Sequence, residues 1–393
     1  MHLYDDSPVA YCGFAINVGT RDELDDESGM AHFVEHTIFK GTQKRKSWHI
    51  LNRLESVGGE LNAYTTKEET FVYANFLKED YERAVELCAD IVFHATFPQK
   101  EIDKEVDVII DEIHSYKDTP SEQIYDDFEE LLFRGSPMGR NILGDAKRLK
   151  KYTTEDAIRF VRRTYKTDRI LFFSLGKIPF QKVKKAAEKY FGSIDGKRST
   201  ESPRIRLTSI PFRKTVKKHT SQAHVIIGGP GYNLYDDKRL PLALLNNILG
   251  GPAMNSKLNV MLREKNGMGY NVESAYTAYT DCGIFSIYFG TDAQNVEMCE
   301  ELVKKELGKL CIEPMSTLQL NKFRKQLMGQ MAIMQENRES LILSLAKSYL
   351  YFNKFESLES VAAMIEELTP SMLVDVSCEI FDEKRLSTLI YSR

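Results

Sequence analysis

The sequence predicts an α+β protein made of two homologous halves, each a largely antiparallel β-sheet flanked by α-helices. Three observations carry that expectation. At 393 residues the chain exceeds what one hydrophobic core usually organises. Strand-like runs meet one another through short turns and alternate with helical stretches, a rhythm of hairpins and covering helices that disfavours a doubly wound nucleotide fold. The order strand, loop, helix, glycine turn then recurs in the second half, as a duplicated unit would. The expected division is a first domain at 1–195, a linker at 196–211 and a second domain at 212–393.

Residues 9–18, VAYCGFAINV, are β-branched and aromatic and read as a buried strand, too continuously apolar for clean alternation. Residues 19–29, GTRDELDDESG, form an acidic, turn-rich loop whose carboxylates are expected to be solvated rather than to act as ligands. Ser47 offers an N-cap for the helix WHILNRLESV, which closes at Gly58-Gly59. Residues 61–76 read as two strands joined around 67–69, followed by a helix over 80–93. Residues 100–116 form a helix with Val106, Ile109, Ile110 and Ile113 on one face. Opposite that stripe stand Glu105 and Glu112, nearly eclipsed, whose meaning depends on what faces them. Thr153 and its neighbours open a capped helix, residues 169–176 form a buried strand, and a helix over 179–190 closes the half. Residues 193–211, rich in Ser, Gly, Pro and Arg, contain the linker.

The second half begins with a strand at 224–228, a loop at 231–238 and a helix at 240–249. Aligned on the first half, it sets LALLNNIL against AHFVEHTI, so Asn246 and Asn247 fall where Glu35 and His36 stand. Only the first copy would then keep metal ligands. The run Gly228-Gly229-Pro230-Gly231 lacks the spacing and the Lys-Ser/Thr pair of a phosphate loop.

Composition narrows the function classes. Lys and Arg total 53 against 57 for Asp and Glu, a net charge of -4, which favours neither nucleic acid nor an anionic membrane surface. Cys12, Cys88, Cys282, Cys299, Cys311 and Cys378 are scattered singly, without knuckle or disulfide spacing, and read as thiols. No apolar run reaches the length of a membrane span and the start lacks the pattern of a signal peptide, so a cytoplasmic location is expected.

The chemistry concentrates at residues 29–41, GMAHFVEHTIFKG. On a helix, His32 and His36 stand one turn apart and can offer two imidazole nitrogens to one metal ion. Glu35 lies three residues past His32 on that face, placed to take a proton from water without ligating the metal. The competing reading, two half-buried structural histidines, stands unless further ligands are found.

These residues resemble the inverzincin peptidases of the pitrilysin, insulysin and mitochondrial processing peptidase group, family M16, most closely its short bacterial members; the fold implied is the M16/LuxS-like one. In that family the third ligand is a glutamate about 76 residues after the second histidine, with another glutamate seven residues earlier. Glu112 and Glu105 stand at those spacings. The resemblance therefore implies one zinc ion per chain on His32, His36 and Glu112, with Glu35 as general base and Glu105 behind a ligand histidine. GGELNAYT at 58–65 is similar to the family's G-G-x-x-N-A-x-T stretch, which places Asn62 and Ala63 near an extended peptide. LREKNGMGY at 262–270 is similar to its R-E-x-x-G-x-x-Y element, which makes Arg263 and Tyr270 contacts of the substrate carbonyl. Phe39 is either a pocket wall beside the scissile bond or a plain core aromatic. Family members usually open with a strand ahead of the segment seen here, so either the edge strand is shortened or the sequence starts beyond it; the ligands are unaffected.

Longer members have four such units arranged as a clam shell. By the same resemblance, two copies of this chain pair as a homodimer, each completing the other's site, around a chamber that admits oligopeptides and unfolded segments. Two other roles occur among relatives: a non-catalytic scaffold or binding subunit, and a dedicated precursor-processing peptidase.

Overall fold

The frame is a pair of five-stranded sheets. In this computed structural model, which describes residues 1–196 and 209–393, most of the expected linker lies outside the described residues. The first sheet comprises β1 (Leu3–Tyr4), β2 (Val9–Ile16), β3 (Glu60–Thr65), β4 (Thr70–Leu77) and β5 (Ile170–Gly176), in the order β1-β5-β2-β4-β3. The second comprises β6 (Arg213–Lys217), β7 (Ala223–Gly231), β8 (Tyr270–Ala278), β9 (Gly283–Thr291) and β10 (Ser387–Ser392), in the order β6-β10-β7-β9-β8. The two orders are the same permutation. In each sheet only one edge pair, β1 with β5 or β6 with β10, is parallel; the rest are antiparallel. The expected α+β architecture in two like halves is therefore present, with mixed sheets. The edge strand β1 is two residues long.

Strand β2 lacks alternation because both of its faces are covered. One face, through Cys12, Phe14 and Ile16, joins a core formed with Phe33, Val34, Val85 and Ile109. On the other face Ala15, Phe71, Tyr73 and Phe173 pack with Ile342 and Ala346 of the helix Arg338–Phe352. The second sheet is covered in the same way: Val225, Phe285 and Ile287 enter one cluster, while Ile226, Tyr288 and Leu389 pack with Ile124 and Phe128. In chain order the first half supplies α1 (Met30–Thr37), α2 (Ser47–Glu55), α3 (Tyr81–His94), α4 (Gln99–Lys117) and α5 (Pro120–Leu132). Helix α2 begins at Ser47 itself, with Lys46 as its N-cap, one residue earlier than expected.

The two compact units are discontinuous in sequence. One contains residues 1–114, 140–202 and 334–356; the other contains 115–139, 203–333 and 357–393. Helix α5, from the first half, thus belongs to the unit of the second sheet, and the helix Arg338–Phe352, from the second half, to the unit of the first.

Two buried carboxylates tie the second unit together. Burial raises the Glu300 carboxyl, but hydrogen bonds from Lys304 and Arg213 lower it further, and the net shift is downward. For Glu306 burial is likewise outweighed by Lys257 and Lys309. A depressed folded-state value means the unfolded chain binds more protons in acid. The stability these groups contribute is present above the unfolded carboxylate value and is lost as the pH falls through the folded one. Thermal melts across the acid range should show a flatter acid limb in Glu300→Gln and Glu306→Gln than in the parent; an unchanged slope would refute the linkage.

Candidate metal centre

Helix α1 starts under unusual constraint. Gly29 precedes it at φ 80°, and a Cβ there would lie 2.7 Å from the Gly144 Cα, so both the backbone angle and the close approach require glycine. The first turn has no side-chain cap of its own. Its free amides are met instead by Glu23, which accepts from the Gly29 N–H at 3.0 Å and the Ala31 N–H at 2.9 Å. The expectation of a solvated acidic loop is therefore corrected for two residues: Glu23 is 4% and Glu27 2% exposed. Arg163 donates to Glu27. Burial pushes the Glu23 carboxyl up to about 8, while the two amide donors and the Arg140 guanidinium pull the other way.

With its entry so held, α1 buries Met30, Phe33 and Val34 in the first core and turns His32, Glu35 and His36 away from it. Helix α4 buries Ile102, Val106, Ile109 and Ile113 in the same core and brings Glu105 and Glu112 to the histidines. The Glu112 Oε2 lies 3.7 Å from His32 Nε2 and 3.5 Å from His36 Nε2. The donor atoms of His32, His36 and Glu112 all fall within 4.8 Å of one another, the one such cluster among the described residues. Tetrahedral coordination at about 2.0–2.1 Å would space ligand atoms roughly 3.3 Å apart, so the observed spacing fits zinc with little movement.

The tautomers suit that use. Glu105 Oε1 lies 3.0 Å from His36 Nδ1, which as a donor would leave Nε2 with its lone pair toward Glu112. Burial lowers His36, but the Glu105 hydrogen bond and the surrounding carboxylates raise it on balance. His32 is pushed down to about 3 by burial and then by the nearby His36, so its imidazole stays neutral, as a ligand must be. The buried His32 Nδ1 has no hydrogen-bond partner among the described residues.

Three supporting residues escaped the sequence reading. Lys40 places its ammonium 2.6 Å from Glu105 Oε2, on the oxygen that His36 does not use. Lys40 is four residues past His36, a spacing that could have suggested a shared face. Thr65, at the end of β3, lies near Glu35, and its hydroxyl favours the charged carboxylate. Burial raises the Glu35 carboxyl, Thr65 and His36 oppose that shift, and Glu112 adds to it. Glu23 is the third. Its role depends on a bend of the loop that no local pattern announces.

The remaining candidates are placed as follows. Asn62 pairs with Tyr73 and Ala63 with Val72 on β3, the edge strand of its sheet. Phe39 is half-buried and packs against the first core. Arg263 and Tyr270 belong to the second unit. Arg263 is exposed, its nearest described carboxylate being that of Glu264 at 3.9 Å, and Tyr270 is 45% exposed at the start of β8.

Because Glu105 orients His36 and is itself held by Lys40, Glu105→Gln should weaken zinc binding by roughly 10–100-fold, read by competition with a chromophoric chelator. An affinity equal to that of the parent would remove Glu105 from the centre.

Comparison with known proteins adds a second line of argument. The family model described as insulinase, peptidase family M16, matches residues 3–146, and that of the peptidase M16 inactive domain matches 151–327. A protein of Rickettsia bellii named as an uncharacterized zinc protease is 30% identical over 374 residues, covering 95% of this chain and 90% of that one. The uncharacterized zinc protease YmxG of Bacillus subtilis is 29% identical over 381 residues, covering 96% and 92%. Among solved structures, a protease from Helicobacter pylori superposes with a TM-score of 0.92 at 21% identity, covering 100% of this chain and 96% of that one. An M16 inactive domain from Pseudomonas fluorescens superposes at 0.91 with 18% identity, covering 99% and 94%. At those identities the structural likeness speaks for the fold alone. No helix among the described residues is long and apolar enough to cross a membrane.

Proposed function

The chain belongs to the insulinase family of peptidases, M16, and from that premise we propose that it is a zinc-dependent endopeptidase acting on oligopeptides or unfolded protein segments. The observation that carries the proposal is the convergence of Glu112 with His32 and His36 of the helix that also carries the half-buried Glu35. Three protein donors leave a fourth position open, the arrangement of a catalytic rather than a structural site. Bound there, zinc would lower the pKa of water and polarise a carbonyl.

The chain's own residues do the rest. Glu35, made more basic by burial, takes the proton of the attacking water and delivers it to the leaving amine nitrogen. Glu105, steadied by Lys40, keeps the His36 ring in its orientation. A peptide adds as a strand along the free edge of β3, where main-chain hydrogen bonds give affinity with little demand on sequence. Arg263 and Tyr270 hydrogen-bond the carbonyl oxygen as it gains charge. We assign those two residues to the site of the second subunit in a homodimer, whose halves enclose the reaction chamber.

Two experiments test this reading. Digestion of a diverse peptide library should give internal cleavages that a chelator abolishes; no cleavage by zinc-replete protein, or cleavage indifferent to chelator, would overturn it. Mixing equal amounts of Glu35→Gln and Tyr270→Phe subunits, each inactive alone, should restore about a quarter of parental activity, since half the dimers carry one intact site. No recovery after subunit exchange would assign each site to a single chain.

A further inference from the structure

Helix α2 carries an apolar shelf that the proposed chemistry does not use. Ile50 and Leu54 turn into the first core, and Arg53 turns toward α3, its guanidinium 3.6 Å from Glu86. At about 100° per residue, Leu51 comes round on the flank opposite Arg53, and Trp48 stands beside it one turn earlier. Neither is covered: Trp48 is 67% and Leu51 45% exposed. The sheet order places that flank. Helix α3 packs over β2 and β4, whereas α2 packs on β3, the strand at the end of the sheet. The side of α2 turned away from α3 therefore overhangs the free edge of β3. Residues 56–59 alone join α2 to that strand, so the overhang has little freedom to move. On β3, Leu61 and Ala63 pack toward the first core and Tyr64 packs on the opposite face. Thr65 shares the side of Leu61 and Ala63 and lies near Glu35, so the reacting bond belongs at that end of the strand.

We propose that Trp48 and Leu51 form a specificity subsite for an apolar side chain of the peptide, roughly two to four residues beyond the scissile bond on its C-terminal side. Strand β3 pairs antiparallel with β4, and a peptide that continues this pattern runs from the level of Thr65 back toward Glu60. Its residues beyond the scissile bond then pass under the overhang of α2, and alternate side chains point up to it. Covering the indole and the leucine with an aromatic or aliphatic side chain removes apolar surface of both partners from water. A polar side chain there gains nothing comparable. The subsite rests on the reading that a peptide adds along β3, and it supplies the sequence preference that main-chain hydrogen bonds do not.

Trp48 is the single tryptophan of the chain, so its emission reports the shelf directly. The test uses full-length, zinc-loaded protein and a set of quenched peptides in which one phenylalanine replaces serine at each position beyond the cleaved bond in turn. At the position under α2, phenylalanine should raise kcat/KM at least about tenfold over serine, mainly through KM. Trp48→Ala/Leu51→Ala should lose that gain and Trp48→Phe should keep most of it. Phe180→Ala, which removes an exposed aromatic at the start of the helix Phe180–Phe191, should keep all of it. In Glu35→Gln protein, titration with the phenylalanine peptide should shift the Trp48 emission to the blue, and the serine peptide should not. Chelator-sensitive cleavage with no gain from phenylalanine at any of these positions, or with a gain that survives in the double variant, would overturn the subsite and leave the peptidase reading standing. Absence of all cleavage would instead overturn that reading, and the emission titration still decides the shelf: a peptide that leaves Trp48 unmoved sinks it.

Discussion

Replacing Glu35 by Gln is expected to cut peptide hydrolysis by roughly 10²–10⁴-fold, the range for removal of a general base, while zinc content stays at the parental level. The two readouts separate because Glu35 is not among the three converging donors, which are supplied by His32, His36 and Glu112. The carboxamide is nearly the same size as the carboxylate, but it has no basic oxygen for the proton of water. Stability should hold or rise slightly. Burial disfavours the charged form of Glu35, and the neutral amide escapes that cost. A variant that hydrolyses a quenched peptide at the parental rate, with zinc bound, would remove Glu35 from the reaction.

Those parts of the candidate site that were legible in the sequence depend on local periodicity. His32 and His36 share a face because they are four residues apart on a helix, and Glu105 and Glu112 share one because they are seven apart. The apolar stripe of α4 showed which way that helix faces its core, and hence that the glutamates point elsewhere. The illegible parts depend on long-range burial. Glu23 and Glu27 lie in a run of charge that looks solvated, yet the amides opening α1 and the Arg163 guanidinium, 136 residues beyond Glu27, draw them inside. Strand β2 offered a similar difficulty. Its unbroken apolar character signals two covered faces, but nothing local reveals that one cover is a helix more than 300 residues further along the chain. A basic residue near a turn is usually solvated, whereas Lys40 meets a carboxylate that is already engaged with a histidine.

The second large effect is expected at Glu112. Glu112→Gln should lose zinc by more than the roughly 10–100-fold typical of a residue behind the ligands, and peptide hydrolysis should fall with the metal. The amide keeps an oxygen in nearly the same place but gives up the negative charge, so two neutral imidazoles and a neutral carbonyl must hold a divalent cation. The fold should not suffer. The Glu112 side chain is 35% exposed, and the face of α4 buried in the core is built from Ile102, Val106, Ile109 and Ile113. The expected outcome is therefore a variant with parental circular dichroism, little bound metal and little activity, partly restored by excess zinc. Glu35→Gln should differ on every point but activity: metal bound, and no rescue by zinc at any concentration. If Glu112→Gln retained zinc at parental affinity, the third donor would have to come from elsewhere. Glu105, hydrogen-bonded to His36 and held by Lys40, would be the next carboxylate to test.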